Sequence, residues 1–322
     1  MTHRVPGMEE HRYQESAQPS PEGVADFHDS FKNLLVEFEV PEAERSPELA
    51  ARIESLEETY KDLLTELGID ASQRTPPTAK LAVYGEKDWN AVAEAQGLEG
   101  RRCQGIAILQ SGQILVSQGA TADETARKLA HEMAHVLAPR TWEASLDDKG
   151  MIEEAGIKRA GFEGGPRRAF KYFNELVTET IAIEVSRRDA VRRGQDGAEV
   201  LIGGYTDGVV FLDHLLAAAG KKLGRKPREL RTGLFRGYFE GDMASLRFIE
   251  DAFGAGALKI LAELRESGGK DWFVLSEAAQ KIGLDDTAYF YQITIAADAG
   301  VYRLNDGTKL VRPTDGRRSS RI

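Results

Sequence analysis

The sequence predicts an α+β fold, with a small sheet ahead of a largely helical half. Three observations carry this. Short β-branched runs separated by turn residues fill the stretch between Lys80 and Gln118. Long segments with apolar residues three and four apart lie on either side of it. Pro and Gly punctuate the boundaries between them.

Composition narrows the class. At 322 residues, 41% of them hydrophobic, the chain has room for two or three domains and a sizeable core. The net charge of −10, from 52 acids and 42 bases, argues against broad nucleic-acid binding. Cys103 is the only cysteine, so no intramolecular disulfide framework exists and a reducing compartment is compatible. Met1 to Gln14 is polar and has no apolar signal-peptide region. No apolar run reaches membrane-spanning length. The expectation is a soluble, cytoplasmic protein with no membrane association.

In chain order, residues 1–25 read as a disordered polar tail rich in Pro, Ser, Gln and Glu. An N-terminal helical segment, 26–75, follows as two helices broken near Pro41. Phe31, Leu34, Leu35 and Phe38 form one apolar stripe, and Leu49, Ile53, Leu56, Tyr60, Leu63 and Leu64 the next. This pair is a packing element or a partner-binding surface, and residues 71 to 78, with Pro76-Pro77, link it to the main domain at 76–255. There Lys80 to Tyr84 reads as a strand and Asp88 to Ala95 as a short helix. Gly105 to Gln110 and Gln113 to Gln118 read as a hairpin around Ser111-Gly112. Thr121 with Glu124 is a capping-box signature, and Pro139 cannot continue a helix, so a helix is expected from near Thr121 to near Ala138. Residues 169 to 193 form the next helix, Leu201 to Gly220 another, and Met243 to Gly254 another.

The chemistry is concentrated in Leu129-Ala130-His131-Glu132-Met133-Ala134-His135, an H-E-x-x-H motif. On a helix, positions i and i+4 share a face, so His131 and His135 can grip one zinc ion while Glu132 reaches a zinc-bound water as general base. Leu129, Met133, Val136 and Leu137 are left to pack inward. Of the chain's six histidines, two thus fall within five residues. The competing reading is a helix that carries the motif by chance.

A catalytic zinc takes three protein ligands and one open position. The metzincin extension fails, because position 138 is Ala and position 141 is Thr. A downstream carboxylate is the natural third donor, and Glu175 in Asn174-Glu175-Leu176-Val177-Thr178-Glu179 is the leading candidate. Glu153 and Glu154 are its rivals, closer in sequence to His135; otherwise they are the polar face of a short helix. The stretch from Arg140 to Arg168 is rich in Gly and charge and reads as an insert, a flap at the cleft.

The N-E-L-V-T-E run resembles the second signature of the gluzincins, the thermolysin-like and aminopeptidase-N-like zinc peptidases. The resemblance spans Lys80 to Leu264 and rests on three short motifs. It implies that His131, His135 and Glu175 are the zinc ligands and that Glu132 is the general base. It also implies that Glu179 hydrogen-bonds a ligating histidine, which would fix its tautomer. The gap between His135 and Glu175 is longer than is usual in that group. Glu184, nine residues past Glu175, falls on the opposite face and reads as a solvated charge.

Gly237-Tyr238-Phe239-Glu240-Gly241 is similar to the Y-x-x-G segment of aminopeptidase-N-like enzymes. By that resemblance Tyr238 donates to the oxyanion, a role that calls for a neutral donor. Tyr205 and His214 are alternatives. The resemblance also implies that an edge strand, Ile114 to Ser117, pairs with an extended substrate. No G-x-M-E-N motif to hold a free α-amine occurs between Lys80 and Gln118, which favours endopeptidase action.

The C-terminal part, 256–313, reads as helices Ala257 to Glu266, Leu275 to Ile282 and Asp286 to Ala299. A hairpin about Asn305-Asp306-Gly307 completes it. Three helices and a hairpin resemble a winged helix. Its recognition-helix position, however, carries Asp285, Asp286 and Asp298 and no Lys or Arg, whereas phosphate contacts need cations. A protein-contact or structural module is therefore favoured over nucleic-acid binding. A basic tail, 314–322, ends the chain.

The resulting expectation is a zinc metallopeptidase acting on peptide or protein substrates. The alternatives are a regulatory DNA- or protein-binding protein with the same fold and little proteolysis, and a scaffold with a structural zinc. Intact Glu132 argues against the scaffold, because a structural site needs no base.

Overall fold

The computed structural model describes residues 40–74, 77–96, 104–109, 111–146, 152–164, 169–197, 199–201, 203–266, 271–284 and 301–311. The tail at 1–25, the helix expected before Pro41, Cys103, the helix expected at 286–299 and the basic tail lie outside the described residues.

The architecture is α+β, mostly helical, with three small sheets among the described residues. Helix α1 (Pro47–Glu66) starts where Ser46 accepts from the Leu49 amide and Pro47 occupies the first turn. Its apolar stripe from Leu49 to Leu64 is buried as its spacing requires.

The first sheet comprises β1 (Leu81–Tyr84), β2 (Gly105–Ile108) and β3 (Gln113–Ser117), with α2 (Glu86–Ala95) between β1 and β2. The strand order is β1-β3-β2, with β1 parallel and β2 antiparallel to β3. Alternation sends Leu81, Val83, Ile114 and Val116 into the main core. Ala82, Tyr84 and Leu115 face α2 on the other side, against Trp89 and Val92. This order corrects one expectation. Ile114 to Ser117 is the central strand, hydrogen-bonded on both sides, so it has no edge to offer a substrate; among the described residues the edge next to it is β2.

Helix α3 (Ala122–Leu137) carries the histidine motif. Thr121 Oγ1 accepts from the Glu124 amide, and Glu124 Oε2 accepts from the Ala120 amide, so the start of the helix is capped from both sides. It ends at Ala138, in extended conformation ahead of Pro139. The segment after it forms β4 (Arg140–Leu146), β5 (Ile152–Ala160) and the short β6 (Glu163–Gly164), an antiparallel sheet. Residues 153 and 154 therefore lie on a strand, where a short helix was expected.

Helix α4 (Lys171–Arg192) is followed by β7 (Glu199–Leu201), α5 (Thr206–Leu223), α6 (Pro227–Glu240), a 3₁₀ turn Met243–Leu246, α7 (Arg247–Phe253), α8 (Ala257–Ala262) and α9 (Asp271–Lys281). The predicted Leu201 to Gly220 helix starts later, because Gly203-Gly204 interrupts it. It also ends later, at Gly224 (φ 64°), the left-handed position glycine favours. Gly220 instead gives the close approach of the connection to the next helix, for a Cβ there would meet Arg225 O at 2.7 Å.

Strands β8 (Val301–Arg303) and β9 (Lys309–Val311) form the hairpin expected around Asn305-Asp306-Gly307. Strand β9 also pairs in parallel with β7, so this hairpin shares a sheet with the middle of the chain. Its turn is fastened to the helical half. Asn305 donates twice to Asp213 Oδ2, at 2.7 and 2.8 Å, and Arg231 bridges Asp213 and Asp306 at 2.8 and 2.6 Å. One hydrophobic core runs from Leu49 on α1 through α3, α4, α5 and α6 to Leu310 on β9. Among the described residues, no helix is long and apolar enough to cross a membrane.

Candidate metal centre

The site forms where two helices meet. Helix α3 buries Leu129, Ala130, Met133, Ala134 and Leu137, which turns His131 and His135 together toward α4. Tyr60 on α1 donates its hydroxyl to the Ala130 carbonyl and pins the middle of α3 from behind. The first turns of α4 are fixed by Asn174 and Thr178. Asn174 Oδ1 accepts from the Phe162 amide at 2.9 Å, and Thr178 Oγ1 donates to the Asn174 carbonyl at 2.8 Å. Glu175 lies between these two anchors and faces the histidines.

Three donor atoms converge. His131 Nε2, His135 Nε2 and Glu175 Oε2 are each 3.2 Å from the other two. Four ligands at bond lengths of about 2.0–2.1 Å around a tetrahedral ion would stand about 3.3 Å apart. The spacing therefore fits a small divalent metal ion, and so does the donor set of two imidazoles and a carboxylate. Among the described residues these three alone form such a cluster.

The surroundings are negatively polarised. Burial by itself would lower the pKa of His131, but hydrogen bonds to Glu175 and Glu179, with the field of Glu132, raise it to about 10. Burial opposes ionisation of Glu175, yet His135 and His131 hold its carboxyl well below the usual carboxylate range. Such a cluster attracts a cation.

Glu132 is buried at 8% exposure and stands outside the triangle. Burial raises its pKa, His131 and His135 oppose the shift, and Glu175 and Glu179 add to it. Its neighbour is the edge strand: a Cβ on Gly105 would lie 2.5 Å from Glu132 Oε1.

Glu179 lies where the motif spacing placed it, with His131 Nδ1 donating to its Oε2 at 2.8 Å. Burial pushes its pKa up, but Arg127 and His131 outweigh that and keep it low, so it stays an anion.

Tyr238 is not at the mouth of this site. Its side chain is fully buried between Phe162 and Phe239, and its hydroxyl is bonded to Thr178 Oγ1 at 2.8 Å. The Y-x-x-G run is a helix terminus: Gly241 takes the left-handed conformation (φ 68°) that closes α6, and the Asp242 amide donates to the Gly237 carbonyl at 2.8 Å. Tyr205 is the aromatic at the centre. Its ring stacks on His131 with centroids 5.7 Å apart and planes 14° apart. Burial, Glu175 and other nearby carboxylates push its pKa up, which keeps the hydroxyl a neutral donor. His214, on α5, is not part of the donor cluster.

In the β4–β5 hairpin residue 154 pairs with residue 145, and residue 153 falls at an irregularity of the ladder. Glu184 is not a lone solvated charge: it accepts from Arg187 and Arg188, with a side chain 13% exposed.

Sequence reasoning missed Arg127, whose Nη2 donates to Glu179, and the two glycines, Gly105 and Gly203, that abut Glu132 and Glu179. Arg127 left a signal, since it precedes His131 by four residues and so shares its face. The glycines left none, because their neighbours are distant in sequence.

No protein-family model matches this chain, and neither the curated proteins nor the solved structures compared with it include a match.

Proposed function

We propose that this chain is a zinc-dependent metallopeptidase of the gluzincin type, acting as an endopeptidase. The observation that carries the reading is the three-donor triangle of His131, His135 and Glu175, with a buried carboxylate, Glu132, adjacent in sequence and outside it. On this reading the body is a zincin-like domain and the C-terminal part a winged-helix-like element. That element serves protein contact or structure, and neither nucleic acid nor a membrane is its partner.

A zinc ion held by these three residues would supply Lewis acidity, lowering the pKa of a coordinated water and polarising the scissile carbonyl. The chain's own residues do the rest. Glu132, raised in pKa by burial, takes the water proton and returns it to the departing amine. Tyr205 offers a neutral hydroxyl beside His131 for the charge that develops on the carbonyl oxygen. Strand β2, at the edge of its sheet, aligns an extended peptide along Ile106 to Ile108 by main-chain hydrogen bonds. Gly105 keeps the space in which the base works.

The test compares wild type with Glu132→Gln. Both are expected to bind about one zinc per chain, and only wild type is expected to cleave an unfolded protein substrate. Equal cleavage by the two proteins would refute the role of Glu132, and absence of zinc from both would refute the centre.

A further inference from the structure

Glu179 is the junction of a chain of contacts that begins on the histidine helix itself. Arg127 lies one turn before His131 on α3 and is buried at 6% exposure. Its Nη2 donates to Glu179 Oε1, while Glu179 Oε2 accepts from His131 Nδ1 at 2.8 Å. Its Nε donates to the carbonyl of Leu201, at the end of β7, at 3.0 Å. Glu179 itself is 2% exposed. Gly203 closes the arrangement: a Cβ there would sit 2.4 Å from Glu179 Oε1 and 2.8 Å from Arg127 Nη2.

Each carboxylate oxygen of Glu179 thus has its own donor. A buried carboxylate held at one oxygen alone retains rotation about its last bond and carries an uncompensated charge. The planar guanidinium, fixed by the Leu201 carbonyl, removes both freedoms. A histidine presents Nε2 as a ligand only while Nδ1 keeps the proton, and Nδ1 keeps it while its acceptor stays in place.

We propose that Arg127 is a positioning residue of the metal centre, acting through Glu179 to hold His131 in the tautomer and orientation that present Nε2 to a divalent ion. Gly203 is the glycine that leaves room for this pair. The inference rests on reading the centre as a divalent-metal site, and it does not depend on peptide hydrolysis.

The experiment measures zinc affinity of the full chain by competition with a chromophoric chelator, and the visible spectrum after cobalt substitution. The variants are Arg127→Gln, Gly203→Ala, Glu179→Gln and the Arg127→Gln/Glu179→Gln double variant. Arg127→Gln and Gly203→Ala are each expected to weaken zinc binding about 10- to 100-fold, the usual range for an outer partner of a ligand, and to alter the cobalt spectrum. In the Glu179→Gln background, Arg127→Gln is expected to add nothing. Wild-type affinity in Arg127→Gln, or a loss that adds to that of Glu179→Gln, would overturn the proposal. If Arg127→Gln fails to fold, Gly203→Ala decides on the same readout, since it keeps every ligand and both charges; unchanged affinity there also overturns it. A wild-type chain that binds no zinc would instead overturn the metal centre itself, so the two failures are distinguishable.

Discussion

Gly105 and Glu132 stand so close that a Cβ on the strand residue would lie 2.5 Å from Oε1 of the carboxylate and 2.8 Å from its Cγ. The strand residue and this carboxylate therefore share one space, and only a residue without a side chain lets both keep their places. Gly105→Ala must displace Glu132, because the backbone of β2 is held by its ladder to β3. A displacement of about 1 Å in a reacting group can lower turnover about 100-fold. The expected outcome is a loss of that order in kcat with zinc content unchanged. Wild-type turnover in Gly105→Ala would show that the base does not work from this position.

The third ligand is tested by metal retention. Glu175→Ala is expected to lose zinc on dialysis, because only two donors of the triangle remain. Glu153→Ala and Glu154→Ala are expected to keep it. The reverse pattern, read by metal analysis of the purified proteins, would move the site to the β4–β5 hairpin.

The two tyrosines separate by the parameter each changes. Tyr205→Phe removes a donor beside His131 and is expected to lower kcat by about 100-fold, with KM little changed. Tyr238→Phe removes a hydroxyl bonded to Thr178 in the core, so it is expected to lower stability by about 1 kcal/mol and leave kcat near wild type. Kinetics together with denaturant unfolding distinguish them, and a kcat loss confined to Tyr238→Phe would reverse the assignment.

On the proposed mechanism the acid limb of activity reports on Glu132. A general base must be ionised, so the rate falls as pH drops through its pKa. Burial raises that pKa above the ordinary glutamate value of about 4.3. The acid limb of kcat/KM is accordingly expected above that pH. A limb at or below it would assign the titration to another group.

Asp213 is the fastening of the C-terminal hairpin. It is 6% exposed, accepts twice from Asn305 and pairs with Arg231. Removing Asp213 takes the acceptor from both Asn305 hydrogen bonds and one of the two carboxylates that Arg231 bridges, and Asp213→Ala is expected to destabilise the chain by about 2 kcal/mol. Because the hairpin strand Lys309–Val311 also pairs with Glu199–Leu201, the loss is expected in a single thermal transition. A new, separate low-temperature transition with the main one unmoved would show that the hairpin unfolds on its own.

What the sequence determined by itself is local. His131, Glu132 and His135 are bound to one helix by their spacing, and the capping residue Thr121 and the breaker Pro139 delimit that helix within a residue of where it starts and stops. The apolar stripe of α1 and the 105–117 hairpin were legible for the same reason: periods of 3.6 and 2 follow from backbone geometry alone. Asn174-Glu175 with Glu179 was legible only through a resemblance, although the i, i+4 spacing does put both carboxylates on one face of α4. Tertiary structure decided everything that depends on partners far apart in the chain. It made β3 central and β2 the edge, a matter of which strands pair. It sent Tyr238 into the core and brought Tyr205 over His131, because burial depends on what the other helices cover. It also joined β7 to the last strand and set Gly105 and Gly203 against two carboxylates. Such contacts arise when remote segments close on one another, and no periodicity along a single segment encodes them.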